Sequence, residues 1–236
     1  MQPSTKKAVR FQFTEEMKGY LSTQKKTFEA GFEQGKLDKQ DFMFHLKITM
    51  EDLDAFIRSP AHLASASGYV QGDIVGGLRP ITLGSFNLFV NTADQNRKEM
   101  RYRLFFKDIH GSPLTLSGFK SVQDDLGPDV WTDTSTLYTN LFAGHVQALE
   151  EEHTPIIACG ILRILIPDFM HQLTTMRADA PSLIERVEAF EKFGKFFLGS
   201  LWEVYGLPSL PKMTPFAREV PLYTTEGVHG ANITTY

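Results

Sequence analysis

The chain of 236 residues contains a single cysteine, Cys159, so no intrachain disulfide can form and nothing calls for an oxidising compartment. Cys159 lies in the apolar run IIACGILRILI, where a thiol usually serves as a small core residue. No stretch approaches the roughly 18 consecutive apolar residues of a membrane-spanning helix. The opening MQPSTKKAVRF has two lysines but no apolar run after them, so it does not read as a secretory signal. Cytoplasmic placement is the expectation. A net charge of −4 gives no electrostatic ground for nucleic acid or an anionic membrane as partner.

Catalytic motifs are missing too. GYVQGDIVGG lacks the GxGxxG spacing and no helix pattern follows it; there is no Walker A sequence, no GxSxG elbow and no HExxH. His145 together with the acids and histidine of EEEH (150–153) invites a metal reading, but consecutive acids in a loop more often form a solvated turn. No cofactor and no metal are expected.

What the chain does have is phenylalanine, 19 residues of it, within a hydrophobic share of 42%. That is enough for a full core, and Phe has no polar handle, so it points to a large apolar interior or an apolar ligand surface. Residues 1–40 read as a polar N-terminal segment with one short helix, TEEMKGYLS, capped by Thr14. From 42 the period becomes two: Phe42, Phe44, Leu46 and Ile48 alternate with polar neighbours. TMED (49–52) opens a short helix over 51–58 that Pro60 ends. Further strands are expected near 64–74, 79–90, 99–108, 113–123, 130–142 and 155–166, separated by Gly, Pro and Asn turn residues. A short helix follows at DFMHQLTTM, then a long one from Pro181 to Tyr205, with Leu183, Val187, Phe190, Phe197 and Leu201 as its buried stripe.

The expected fold is therefore mainly β with α: an antiparallel, barrel-like sheet of about seven strands, calycin- or lipocalin-like, with a long C-terminal helix lying across it. It occupies residues 41–206. The remainder, 207–236, reads as an extended linker toward a following domain that the chain does not contain.

The hairpin RYRLFFKDIHGSPLTLSGFK (101–120) carries the candidate site. Alternation puts Tyr102, Leu104 and Phe106 on one side and Arg101, Arg103 and Lys107 on the other. The first set should face inward, because burying three cations without partners is costly. Tyr102, Phe106, Leu116, Phe119 and Trp131 are the candidate ligand-binding walls. Trp131, Asp133 and Tyr138 share one parity of DVWTDTSTLY, and an acid beside a Trp in an apolar enclosure can act as an acid or base, so Asp133, Tyr138 and Arg103 are the candidate catalytic groups. The plainer readings are that Asp133 bonds the backbone at a strand bend and that Arg103 lies on the solvent side.

The segments FNLFV (86–90), MRYRLFFKD (100–108), PLTLSGFK (113–120), DVWTDTSTLY (129–138), GILRI (160–164), DFMHQLTTMR (168–177) and FGKFFLGSLWEVY (193–205) together resemble a domain that accompanies bacterial GMC-type (glucose–methanol–choline) oxidoreductases of the cholesterol-oxidase-like kind. There it stands beside a flavin domain and ahead of an α/β-hydrolase domain. The resemblance runs from about residue 40 to the C-terminus and brings no catalytic residue with it. It implies a sterol or fatty-acyl ligand, with oxidoreductase or hydrolase domains as neighbours. The neighbours' flavin-binding glycines and hydrolase nucleophile are absent here, so neither chemistry is expected of this chain. Three functions stay open: a lipid- or sterol-binding accessory module, a small cofactor-independent isomerase or cyclase working in the lumen, and a purely structural packing domain. An open apolar cavity favours the first, an enclosed pocket with one or two charges the second, a solid core the third.

Overall fold

DFMFHLKITM folds as the alternation dictates: Phe42, Phe44, Leu46, Ile48 and Met50 all point to one side of the strand Asp41–Met50 and are fully buried there. The same rule repeats around the molecule. The computed structural model describes residues 7–205 apart from 95–96, 124–134, 165–167, 169–170 and 173, with side chains in the long helix described through Phe197. The strands are β1 (Arg10–Ser22), β2 (Asp41–Met50), β3 (Leu63–Gly72), β4 (Gly77–Asn91), β5 (Arg97–Lys107), β6 (Pro113–Gln123), β7 (Thr136–Ala143), β8 (Ile156–Arg163) and the short β9 (Arg177–Asp179). Each of β2 to β7 pairs antiparallel with the next, and β1 pairs with both β8 and β2, which closes an eight-stranded barrel; β9 joins the N-terminal end of β1. Closure removes exposed strand edges, and eight strands enclose an interior that side chains can just fill.

Seven of these strands fall where turn chemistry and alternation put them. The eighth, β1, corrects the reading of residues 1–40 as a polar segment outside the barrel. TEEMKGYLS is strand, not helix, and Thr14 caps nothing: its amide donates to Thr175 Oγ1 at 2.9 Å. The cause is visible in the pattern. Phe11, Phe13, Met17 and Leu21 are the inward residues of β1, but Glu15 interrupts the apolar set at the inward position between Phe13 and Met17. Where β1 meets β8, Gly19 lies opposite Leu162 and Gly160 opposite Leu21. A Cβ on Gly19 would stand 2.0 Å from the Ile161 carbonyl oxygen, and one on Gly160 2.0 Å from that of Tyr20, so this junction tolerates only glycine.

Three α-helices whose bounds lie in the described residues pack on the barrel. α1 (Phe28–Leu37) lies along the outside of β1 and β8. Beneath it, the buried Cys159 thiol points at the Lys25 and Thr27 carbonyls, 3.2 and 3.4 Å away, and burial, with the nearby Glu29 charge, raises its pKa. This is a thiol kept in its unreactive form. α2 (Leu53–Arg58) starts at Asp52, whose side chain accepts from the Ala55 amide, and buries Leu53 and Phe56 at one end of the barrel. The long helix α3 (Leu183–Tyr205) crosses the same end. Phe193 stacks on Phe11 at 4.6 Å and meets Phe13 at 6.0 Å, while Phe196 packs against Phe56, His62 and Phe89. A bulge in β4 between Asn87 and Val90, with Phe89 at φ 52°, turns Phe89 toward the helix so that Leu88 and Phe89 are buried in succession.

The seat of α3 matches the expected stripe at Phe197, which meets Phe89 at 5.5 Å, but not at its first three residues. Leu183, Val187 and Phe190 are 72%, 43% and 41% exposed, and Ala189 and Phe193 are buried in their place. α3 is apolar on two sides, and the one that carries its aromatic cluster settles against the aromatic barrel end. The helix expected at 168–176 is helical at its described positions 168, 171, 172 and 174, while 169, 170 and 173, the Leu201 and Trp202 side chains, and the segment 207–236 lie outside the described residues.

Candidate functional site in the barrel lumen

Among the described residues, the inward face of the barrel is hydrocarbon apart from Thr139, whose hydroxyl donates to the Leu137 carbonyl at 3.2 Å, and one charged cluster. Glu15 of β1, Tyr102 of β5 and Lys120 of β6 all point into the lumen and are only 4%, 2% and 3% exposed. Lys120 Nζ donates to Glu15 Oε1 at 2.7 Å. The Tyr102 hydroxyl donates to Glu15 Oε2 at 2.9 Å and also lies 3.2 Å from Oε1. Lys120 Nζ sits 5.3 Å from the centre of the Tyr102 ring, a cation–π contact. Phe86 and Phe44 enclose that ring, with centroids 4.8 and 5.8 Å away.

Burial first, then the Glu15 charge and its hydrogen bond, push the Tyr102 hydroxyl well above its ordinary pKa of 10.0, so it stays protonated and acts as a donor. Both Glu15 oxygens are occupied by donors, and the Lys120 ammonium is spent on the ion pair. As they stand, the three groups leave no free base and no free nucleophile. Leu46, Leu104, Phe106, Leu116, Leu137 and Leu141 are fully buried, which leaves no water-sized gap along those walls. A surface recess between α2 and α3, lined by Val9, Leu53, Asp54, Glu185, Glu188, Ala189 and Lys192, holds about 10 Å³, the space of a single water.

The candidates read from the sequence divide across the barrel wall. Tyr102, Phe106 and Leu116 face the lumen. Phe119 and Tyr138 face outward on adjacent strands, 5.4 Å apart, under Phe28 of α1. Arg103 also faces outward, as the alternation requires: Nη1 donates to the Val146 carbonyl at 2.7 Å and Nη2 pairs with Glu151. This fixes the 144–153 connection to β5, together with Thr115, whose hydroxyl donates to the Gly144 carbonyl at 2.7 Å. Arg103 and Tyr138 therefore share no enclosure with Tyr102, Phe106 and Leu116. Trp131 and Asp133 lie outside the described residues. The acids of EEEH serve a 3-10 turn, Glu150 accepting from the Gln147 amide and Glu151 holding Arg103. Among the described residues, no group of three or more His, Cys, Asp and Glu is placed to hold a metal.

Glu15 and Lys120 went unread, although each leaves a trace: a charge at an inward position of a strand, Lys120 following Leu114, Leu116 and Gly118 on β6. A second charged cluster lies outside the barrel. Glu16 bonds Lys18 at 2.6 Å and His45 at 3.3 Å, and Tyr69 stacks on His45. Burial opposes the Glu16 charge, but Lys18 and His45 outweigh it and hold the carboxyl below its usual pKa. Pairs as exposed as these add little to stability.

Against known proteins, the chain matches no family model, and no curated protein or solved structure gives a significant match. No helix among the described residues is long and apolar enough to cross a membrane.

Proposed function

We propose that the chain is an accessory packing module, a solid β-barrel that offers its outer surfaces to neighbouring domains of a lipid- or sterol-modifying oxidoreductase or hydrolase. The observation that carries this reading is the burial of the lumen: among the described residues, Leu104, Phe106, Leu116 and Leu141 are almost wholly inaccessible, and Glu15, Tyr102 and Lys120 bond one another. The outer side of α3 fits the same role. Leu183, Ile184 and Val187 form an exposed apolar strip beside the seat on the barrel, with the part-exposed Phe190 at its border against Phe11. The neighbours named here rest on the resemblance of the 86–205 segments alone, and a cytoplasmic setting on the lone buried thiol.

One observation favours a second reading, an enzyme or carrier acting on an apolar ligand in the lumen: a carboxylate, an ammonium and a phenol gathered in a mostly hydrocarbon interior. Organic extraction of the purified protein, followed by mass spectrometry, separates the two. The packing module should release no stoichiometric lipid. One sterol or fatty-acyl molecule per chain would overturn the packing reading and favour the other.

A further inference from the structure

α3 begins on a firm cap. The Glu185 amide donates to Ser182 Oγ at 3.2 Å and the Ser182 amide to Glu185 Oε2 at 3.1 Å, a reciprocal capping box. The first turns are therefore held, yet their apolar side chains are left uncovered, Leu183, Ile184 and Val187 most of all. Leu183, Val187, Phe190, Gly194 and Phe197 follow one another at alternating steps of four and three, the spacing of a seam between two helices. In heptad terms Val187 and Gly194 take position a, and Leu183, Phe190 and Phe197 position d. The barrel uses a neighbouring face: the buried Ala189 and Phe193, and Lys192 bonded to Asp54, stand at c, g and f. Seam and seat meet at Phe190, whose ring edge lies on Phe11, and at Phe197, which reaches Phe89. A Cβ added to Gly194 would find nothing within 4 Å, so another helix backbone can approach closely there.

The charges flanking the seam specify what covers it. Arg186 stands at g and Glu191 at e, both exposed, and their side chains enter none of the ion pairs among the described residues. In a parallel two-stranded coil the g residue of one helix faces the e residue of the next heptad on the other, five positions on. A second α3 laid in parallel thus brings its Glu191 to Arg186 and its Arg186 to Glu191, the same contact twice by symmetry. An antiparallel copy would set g against g and e against e and forgo both. We propose that residues 183–194 of α3 are a self-association face, pairing in parallel with the same residues of a second copy of this chain. The face is short, so the dimer is weak and forms as concentration rises. This goes beyond the packing reading of the barrel and does not rest on it.

Sedimentation equilibrium of the full chain over a range of concentrations tests this. The unaltered protein should pass from monomer to dimer. Val187→Glu, a change at an exposed position, should raise the dissociation constant at least about tenfold by placing two like charges in the seam. Arg186→Glu alone and Glu191→Arg alone should each raise it about three- to tenfold, since each sets like charges against each other twice. The two reversals combined should return it to within about twofold of the original, which only the parallel pairing of 186 with 191 explains. A protein that stays monomeric leaves the strip to a neighbouring domain and overturns the proposal. A dimer that Val187→Glu or the single reversals do not weaken, or that the combined reversal does not restore, overturns it as well.

Discussion

Lys120→Met is expected to lower the free energy of unfolding by about 3–5 kcal/mol, since the change strands the Glu15 carboxylate in the lumen with only the Tyr102 hydroxyl as donor. Urea unfolding followed by circular dichroism measures it. The combined replacement Glu15→Leu, Lys120→Met and Tyr102→Phe should recover most of the loss, because apolar side chains of similar volume suit a hydrocarbon interior as well as a satisfied ion pair does. A loss below about 1 kcal/mol in the single variant would mean that water reaches Glu15 and that the lumen is not dry.

The second large effect belongs to α3. Phe193→Ala should cost about 3–5 kcal/mol, for it removes a buried ring stacked on Phe11 and leaves a cavity at the end of the barrel. Phe190→Ala, three residues earlier, 41% exposed and with one ring edge on Phe11, should cost clearly less, about 1–2 kcal/mol. Denaturation midpoints of the two variants give the comparison. Equal losses would show that Leu183, Val187 and Phe190 form the seat in solution and that the barrel end is covered differently.

These two variants mark how far the sequence is legible. Phe42, Phe44, Leu46 and Ile48 announce their strand because alternation is a local property, and the same holds for Tyr102, Leu104 and Phe106, whose inward orientation follows from their neighbours alone. β1 hides because its pattern contains Glu15, and a charge at an inward position makes sense only once Tyr102 and Lys120 arrive from 87 and 105 residues away. The long helix is evident from its period, but its seat is not. Two apolar sides compete, and the choice is made by rings on other elements, Phe11, Phe56 and Phe89, that no window on the helix contains. The outer pair Phe119 and Tyr138 misleads for a related reason. Half-buried aromatics under a packing helix alternate just as lumen-facing ones do, and α1 has a polar sequence that does not announce the cover.

The account turns on whether the barrel is solid, and the most direct measurement is a crystal of the protein exposed to xenon under pressure, since the gas enters dry apolar voids and marks them with strong density. The account predicts no xenon among Leu104, Phe106, Leu116 and Leu141. An ordered xenon atom there would reveal a cavity, contradict the packing module, and return the lumen to the candidates for ligand binding.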